Sequence, residues 1–282
     1  MKILLTGSTG FIGKHIADQC LRQGHELLCI RHGQLAAAAG TIKEFSPEVL
    51  VHSAWGGVSA ADRNDAAIQQ ANVEMSEAII KAYPYKQIIC LGSQDEYGVL
   101  SGIADESHPL NPVTEYAKAK VRVCLMLKEY ACEKGIEWQW LRLFSLYGPG
   151  QSEKWMIPSI IARCLSGEKS MDVTAGEQKY ACLWVEDLAD GIVRMFGSQG
   201  KSGIYNMSAS TPVALKDLFL KIRELTGSKL EFRFGALPYR ANQSMVICGD
   251  CSRYSSAFGP LEKTGLNQGL EAIVKTYSKR TA

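Results

Sequence analysis

Tyr116 and Lys120 stand four residues apart in a stretch that follows Asn111-Pro112. On a helix, positions i and i+4 share a face, so the phenol and the ammonium are neighbours. A free tyrosine titrates near about 10 and is a poor base at neutral pH. A nearby cation favours the phenolate and brings it toward useful values, so this pair is expected to move a proton. Ser93 fits the same chemistry. It follows the apolar run Gln87–Gly92, at the carboxyl end of a candidate strand. That rim is where open parallel sheets place their reacting groups. A hydroxyl there would orient a carbonyl or alcohol while Tyr116 gives or takes the proton.

The elements that must position these residues begin at the N-terminus. Lys2–Thr6 reads as a strand and runs into Gly7-Ser8-Thr9-Gly10-Phe11-Ile12-Gly13, followed by the amphipathic run His15–Gln23. Three glycines between a buried strand and a helix let backbone N–H groups approach a pyrophosphate, and the helix N-terminus adds partial positive charge. The Gly-x-x-Gly-x-x-Gly spacing is one residue longer than the plain dinucleotide fingerprint.

Further strands are expected at Glu26–Arg31, Val49–Ser53, Gln87–Gly92 and Trp138–Phe144, with helices at Asp65–Lys81 and Val113–Lys134. This alternation predicts an α/β fold with a doubly wound parallel sheet. The rhythm breaks after Tyr147-Gly148-Pro149-Gly150. The later elements are a strand end and helix over Trp184–Phe196, a strand Gly203–Met207, a helix Leu215–Leu225 ended by Gly227, and a strand Leu230–Phe234. They suggest a smaller α+β substrate domain, partly interleaved with the first. Residues 1–148 plus about 181–210 would form the dinucleotide-binding domain, and 149–180 plus about 211–282 the substrate domain. Only fifteen residues separate Arg31 from Pro47. A strand and a helix of normal length would not fit there, so the adenine side of the site is expected to be abbreviated.

Composition is that of an ordinary globular protein: 46% hydrophobic, 21% charged, net charge +2 over 282 residues. No nucleic-acid or membrane footprint is implied. Apolar runs fall short of the roughly 18 residues of a membrane span, and no signal peptide is read, so the cytoplasm is the expected location. The nine cysteines are scattered; Cys29, Cys90 and Cys182 lie in apolar runs and read as small buried hydrophobes. Cys248-Gly249-Asp250-Cys251 lacks the second ligand pair of a zinc site, so no metal is expected.

Taken together these segments resemble the extended short-chain dehydrogenase/reductases of the nucleotide-sugar epimerase/dehydratase family. The likeness is carried by Thr6–Gly13, by Leu91-Gly92-Ser93-Gln94-Asp95-Glu96-Tyr97-Gly98, and by Tyr116/Lys120. Arg142–Gln151, Leu183–Asp190 and Tyr205-Asn206-Met207 extend it over nearly the whole chain. The resemblance implies a Rossmann-type fold and hydride transfer between a nicotinamide and a sugar carbon. Tyr116 would be the acid/base, and Ser93 would hydrogen-bond the reacting oxygen. Lys120 would hold the ribose hydroxyls and lower the tyrosine pKa. Gly7, Thr9, Gly10, Phe11, Ile12, Gly13 and Ala54 would line the cofactor, with His52-Ser53-Ala54 beside it. Arg240 would meet the pyrophosphate of a nucleotide-diphosphate sugar. Helices Asp65–Lys81 and Val113–Lys134 would pair two copies as a homodimer.

Departures from the family pattern refine this expectation. The strand Glu26–Arg31 is followed by Arg31-His32 rather than an acid, which suits the 2′-phosphate of NADP, with NAD the alternative. Gln94 and Asp95 stand where the dehydratases of the family carry Asp-Glu. An amide is no proton donor of that kind, while Asp95 is either a base or a loop cap. Dehydration is therefore disfavoured against reduction of a nucleotide-linked 4-keto-6-deoxyhexose, with 4-epimerisation the second reading. A non-catalytic NADP sensor is a third. Ser145 replaces a frequent Asn, and Tyr180 beside Lys179 replaces an Arg. Trp55 either lines the sugar pocket or packs its own loop.

Overall fold

The computed structural model describes residues 1–31 and 34–281. The first half alternates β1 (Lys2–Thr6), α1 (Phe11–Arg22), β2 (Glu26–Ile30), α2 (Leu35–Phe45), β3 (Val49–His52), α3 (Ala66–Lys81) and β4 (Gln87–Ser93). A short β5 (Ile103–Ala104) precedes α4 (Glu115–Lys134), β6 (Glu137–Leu143) and β7 (Ser145–Tyr147). Then come α5 (Met156–Leu165), β8 (Ser170–Val173), β9 (Lys179–Tyr180), β10 (Cys182–Trp184), α6 (Val185–Val193) and β11 (Gly203–Met207). The chain closes with β12 (Val213–Ala214), α7 (Leu215–Thr226), β13 (Glu231–Phe234), β14 (Val246–Gly249), α8 (Ser252–Phe258) and α9 (Leu266–Thr281).

Six strands form a parallel sheet in the order β11-β6-β4-β3-β1-β2. Side chains alternate across it. Ile3, Leu5, Val51, Ile89 and Leu91 join the apolar layer that includes residues of α1 and α6. Leu4, Leu50, Ile88, Cys90 and Trp140 join the layer containing residues of α3 and α4. Burial on both faces explains the unbroken apolar runs of β3 and β4, whose residues are all buried. A separate core unites α5, α7 and α9 with β8 and β13. Beside it lies the four-stranded sheet β12-β9-β14-β5, in which only the β12–β9 pairing is antiparallel.

Local chemistry sets the helix ends that matter. Asp65 caps α3 by accepting from the N–H groups of Ala67 and Ile68 at 2.9 and 3.0 Å. Thr114 caps α4 through Ala117 N–H at 3.1 Å, and Gly135, at φ 65°, ends it.

As its length predicts, the segment after Arg31 does not hold both a strand and a helix: among the described residues it carries the 11-residue α2 and no strand. β2 is therefore the outer strand of the sheet. For the same reason Cys29 is exposed, contrary to expectation, whereas Cys90 and Cys182 are buried as expected. His32, named with Arg31 above, lies outside the described residues. Among the described residues no helix is long and apolar enough to cross a membrane.

Candidate active site

The carboxyl ends of β1, β3, β4 and β6 open onto one cavity of about 560 Å³. Gly7, Gly10, Phe11, Ile12, Gly13, Trp55, Ser93, Tyr116, Lys120 and Ser145 line it together with Arg63, Gln151, Trp155 and Tyr180. The glycine turn and the catalytic candidates are thus brought to one space, 80 to 110 residues apart in sequence. Thr9, Arg31, Ala54, Gln94 and Arg240 are outside its wall. Ala54 abuts Gly7. Gln94 sits beside Ser93, its side-chain amide donating to Asp95. Arg240 is exposed on the loop after β13, and its charge reaches the Tyr180 phenol. Arg31 is exposed at the end of β2, its backbone N–H donating to Gln34 Oε1 at 3.3 Å.

The glycine turn fits a dinucleotide. Gly7 has φ 76°, and a Cβ there would lie 2.7 Å from Ala54 N. At Gly13 a Cβ would fall 2.0 Å from the Gly7 carbonyl oxygen, so α1 packs directly on the turn. The first turn of α1 carries no acidic residue and no side-chain cap. Its N–H groups and dipole remain available to an anion.

Loop 53–57 is held by a polar seam on α3. Gln69, Asn72 and Ser76 are buried there, at helical spacing on one face. Gly56 exchanges two hydrogen bonds with the Asn72 carboxamide, both 2.9 Å. Trp55 Nε1 donates to Gln69 Oε1 at 3.0 Å. Ser76 Oγ donates to the Asn72 carbonyl at 2.7 Å, so it accepts from His52 Nε2 at 2.9 Å. His52 Nδ1 then accepts from Thr6 Oγ1 at 2.8 Å, and Thr6 Oγ1 accepts from Ala54 N–H at 3.2 Å. This chain requires neutral His52, with the proton on Nε2. Burial, with the Lys120 charge adding to it, pushes its pKa from 6.5 down to about 3. Between those values the unfolded chain binds the extra proton. The stability contribution is therefore complete above about pH 6.5 and declines as pH falls toward 3. Urea midpoints are expected to be lower at about pH 5 than at about pH 7.5, with a smaller difference in His52→Asn; equal midpoints in the wild type would refute the neutral assignment.

The strand end that carries Ser93 is held by a second polar cluster. Ser93 caps the single-turn 3-10 helix Gln94–Tyr97: its Oγ accepts from Asp95 N–H at 3.2 Å, and Glu96 Oε1 accepts from Ser93 N–H at 2.9 Å. Glu96 is fully buried. It also accepts from Trp140 Nε1 at 2.9 Å and Arg142 Nε at 2.8 Å. Trp140 and Arg142, two apart on β6, present this pair of donors on one face. Glu96, Arg142 and Trp140 hold the Ser93 turn in place, a support that sequence reasoning missed. The Ser-x-x-Glu spacing of a capping box was the available signal.

Tyr116 and Lys120 share a face of α4 as their spacing predicts, with Lys120 Nζ 5.7 Å from the Tyr116 ring centroid. The electrostatic expectation is corrected. Burial is the largest influence on Tyr116 and pushes its pKa up to about 12; Asp95 and Glu96 add to this, while the Ser93 hydroxyl and Arg63 oppose it. Burial likewise pulls Lys120 down to about 7. Lys120 Nζ donates to the Leu91 carbonyl at 2.7 Å and sits 3.5 Å from the centroid of the Trp55 ring. Trp55 is therefore both cavity wall and packed aromatic, edge-on to Tyr116 at 6.0 Å.

A Rossmann-like parallel sheet whose glycine turn faces a Ser/Tyr/Lys set agrees with the sequence comparison. The chain belongs to the NAD dependent epimerase/dehydratase family, whose model matches residues 3–208. It is an NAD(P)-dependent nucleotide-sugar-modifying enzyme of the extended short-chain dehydrogenase/reductase type. Among curated relatives it is 24% identical to the dTDP-6-deoxy-L-talose 4-dehydrogenase (NAD(+)) of Aggregatibacter actinomycetemcomitans, covering 88% of this chain and 99% of that one. Its fold matches the Thermotoga maritima UDP-glucose 4-epimerase solved with UDP-glucose, with a TM-score of 0.91, 21% identity and complete coverage of both chains. It also matches RMD of Pseudomonas aeruginosa, solved with NADPH, with a TM-score of 0.87 and 21% identity over 99% of this chain and 100% of that one.

Proposed function

We propose that this enzyme reduces a nucleotide-linked 4-keto-6-deoxyhexose, with NADPH as the hydride source. The observation that carries the reading is the convergence of Ser93, Tyr116 and Lys120 with the glycine turn on one cavity, next to an amide at Gln94 where elimination would need an acid. The relative named as a 6-deoxy-L-talose 4-dehydrogenase supports oxidoreduction at that sugar position, and the fold neighbour solved with NADPH supports the cofactor. Residues 1–148 with about 181–210 would hold the cofactor, and 149–180 with about 211–282 the nucleotide sugar, in the cytoplasm.

When bound, the nicotinamide supplies hydride to the carbonyl carbon. The residues supply the rest. Gly7 and Gly10–Gly13 receive the pyrophosphate at the start of α1, with Thr9 and Ala54 flanking it. Ser93 Oγ donates to the sugar carbonyl oxygen and fixes its direction. Tyr116 Oη gives its proton to that oxygen as the alcohol forms, leaving a phenolate that regains a proton from solvent. Lys120 holds ribose hydroxyls. Ser145 and Trp55 bound the hexose in the cavity; Gln94, beside Ser93, and Arg240, both outside the cavity wall, would have to turn toward the substrate to meet the hexose and the diphosphate.

Arg31 at the end of β2 is expected to favour the 2′-phosphate. Fluorescence titration should give tighter binding of NADPH than of NADH, and the opposite order would remove NADP from the reading. Epimerisation is the second reading, favoured by the fold match to a UDP-glucose 4-epimerase. A reductase consumes NADPH in step with substrate; interconversion of two sugar epimers without added cofactor would decide for the epimerase. The outward faces of α3 and α4, where Leu125 is exposed, are read as a homodimer interface. Sedimentation equilibrium tests this, with a strictly monomeric chain the contrary outcome.

A further inference from the structure

One charged side chain reaches the catalytic corner from the loop between β3 and α3 and has no part in the scheme above. Arg63, in the single helical turn Asp62–Asn64, lines the cavity. Its guanidinium carbon lies 4.9 Å from the Tyr116 ring centroid, closer than the Lys120 ammonium at 5.7 Å. Its position is fixed from both sides. Nε donates to the Val58 carbonyl at 3.1 Å, and Nη1 pairs with the Asp95 carboxylate. Asp95 belongs to the turn that Ser93 caps, and its N–H donates to Ser93 Oγ at 3.2 Å. One side chain thus ties the 58–63 loop to the serine turn across the face of the tyrosine.

We propose that Arg63 is a positioning residue for proton transfer at Tyr116, with Asp95 as its counterweight. Its guanidinium favours the phenolate that remains once the proton has gone to the sugar oxygen, and the Asp95 carboxylate sets how much of that charge Tyr116 feels. The inference deepens the proposed function and rests on it for the role of Tyr116 as acid.

The surrounding charges support the assignment. Four ionisable groups act on or face Tyr116: Lys120 from its own helix, Asp95 and Glu96 from the serine turn, and Arg63 from the loop. Glu96 is committed to Arg142 and Trp140. Lys120 donates to a carbonyl, and its depressed pKa of about 7 leaves it only partly charged near neutrality. A guanidinium keeps its charge at every pH an enzyme meets. The Arg63–Asp95 pair is also partly solvent-exposed, with side chains 28% and 19% accessible. A substrate entering the cavity would meet Arg63, which lines it, whereas the Glu96–Arg142 pair lies beneath the surface.

The test reads Tyr116 directly, without turnover. With 3,5-difluorotyrosine at position 116, the phenol ionises in an accessible range and is followed by absorbance in the free, folded protein. Arg63→Met is expected to raise the midpoint by about half to one pH unit, and Asp95→Asn to lower it by a similar amount. Arg63→Lys should restore most of the wild-type value. Loosening of the loop alone would not move the two variants in opposite directions. An unchanged midpoint in both, or a shift of the same sign in both, with the far-ultraviolet circular dichroism of the wild type, overturns the proposal. If Arg63→Met does not fold, the Asp95→Asn and Arg63→Lys arms decide it. Turnover separates this inference from the function it rests on. Opposite shifts in a protein that reduces no nucleotide sugar would leave the charge coupling standing and remove the reductase reading. An active wild type with unmoved midpoints would remove the inference alone.

Discussion

Tyr116→Phe is expected to lower kcat by roughly 10²–10⁴-fold while leaving NADPH affinity within about twofold of wild type. The replacement is close to a pure deletion of one oxygen. The phenyl ring still meets Trp55 edge-on and still lies under Arg63, so the cavity wall keeps its shape. What disappears is the acidic proton beside Ser93. Water is a poor substitute in that position, because the tyrosine is buried and a solvent molecule would have to enter beside Lys120 without a fixed partner. Stopped-flow measurement of NADPH oxidation, with cofactor binding followed separately by fluorescence, separates the chemical step from affinity. A variant that turns over at the wild-type rate would show that another group is the acid. Unchanged biological function in a variant that has lost turnover would instead favour the sensor reading, in which cofactor is held without chemistry.

The second large effect is on stability. Glu96→Leu is expected to destabilise the fold by about 3–5 kcal/mol, read as a lower urea midpoint. Glu96 and Arg142 are 0% and 3% exposed at their side chains. Removing the carboxylate leaves a guanidinium in the interior with no counter-charge. It also strips Trp140 Nε1 and the Ser93 N–H of their acceptor. The double variant Glu96→Leu with Arg142→Leu should recover much of the loss, since a buried pair owes most of its apparent worth to the penalty of breaking it. A Glu96→Leu protein as stable as wild type would mean that water reaches Arg142 and that the pair is not dry. Any folded fraction should also turn over slowly, because the serine turn has lost its anchor.

Much of the framework was legible because burial on both faces leaves a plain mark. β3 and β4 read as strands from unbroken apolar runs, and the expected helices Asp65–Lys81 and Val113–Lys134 start within two residues of α3 and α4 and end with them. The glycine turn and the Tyr116/Lys120 pair were legible for a related reason: each is a local pattern whose spacing is itself the geometry. What stayed hidden depends on long-range contact. Arg142 meets Glu96 across 46 residues, and Arg63 meets Asp95 across 32. Periodicity carries no trace of such pairings. The pKa of Tyr116 was misread because i, i+4 spacing reports a neighbour's distance and not how much water the fold removes. Burial dominates here. Cys29 shows the same limit from the other direction, since an apolar run does not say whether its strand is central or outermost.

The outermost place of β2 has a consequence for how this enzyme could be altered. Strands inside a sheet are locked by ladders on both sides, so a new segment there must satisfy two neighbours at once. Among the described residues β2 pairs only with β1, and Arg31 at its end is exposed to solvent. The stretch that would read the cofactor's ribose is therefore separable from the Ser93/Tyr116 corner, which lies on β4 and α4. Grafting a different β2–α2 connection should exchange one nicotinamide cofactor for the other while the Ser93–Tyr116 geometry stays as it is. On the proposed reading, cofactor choice would then be an interchangeable fitting on the rim, and the reaction itself part of the frame.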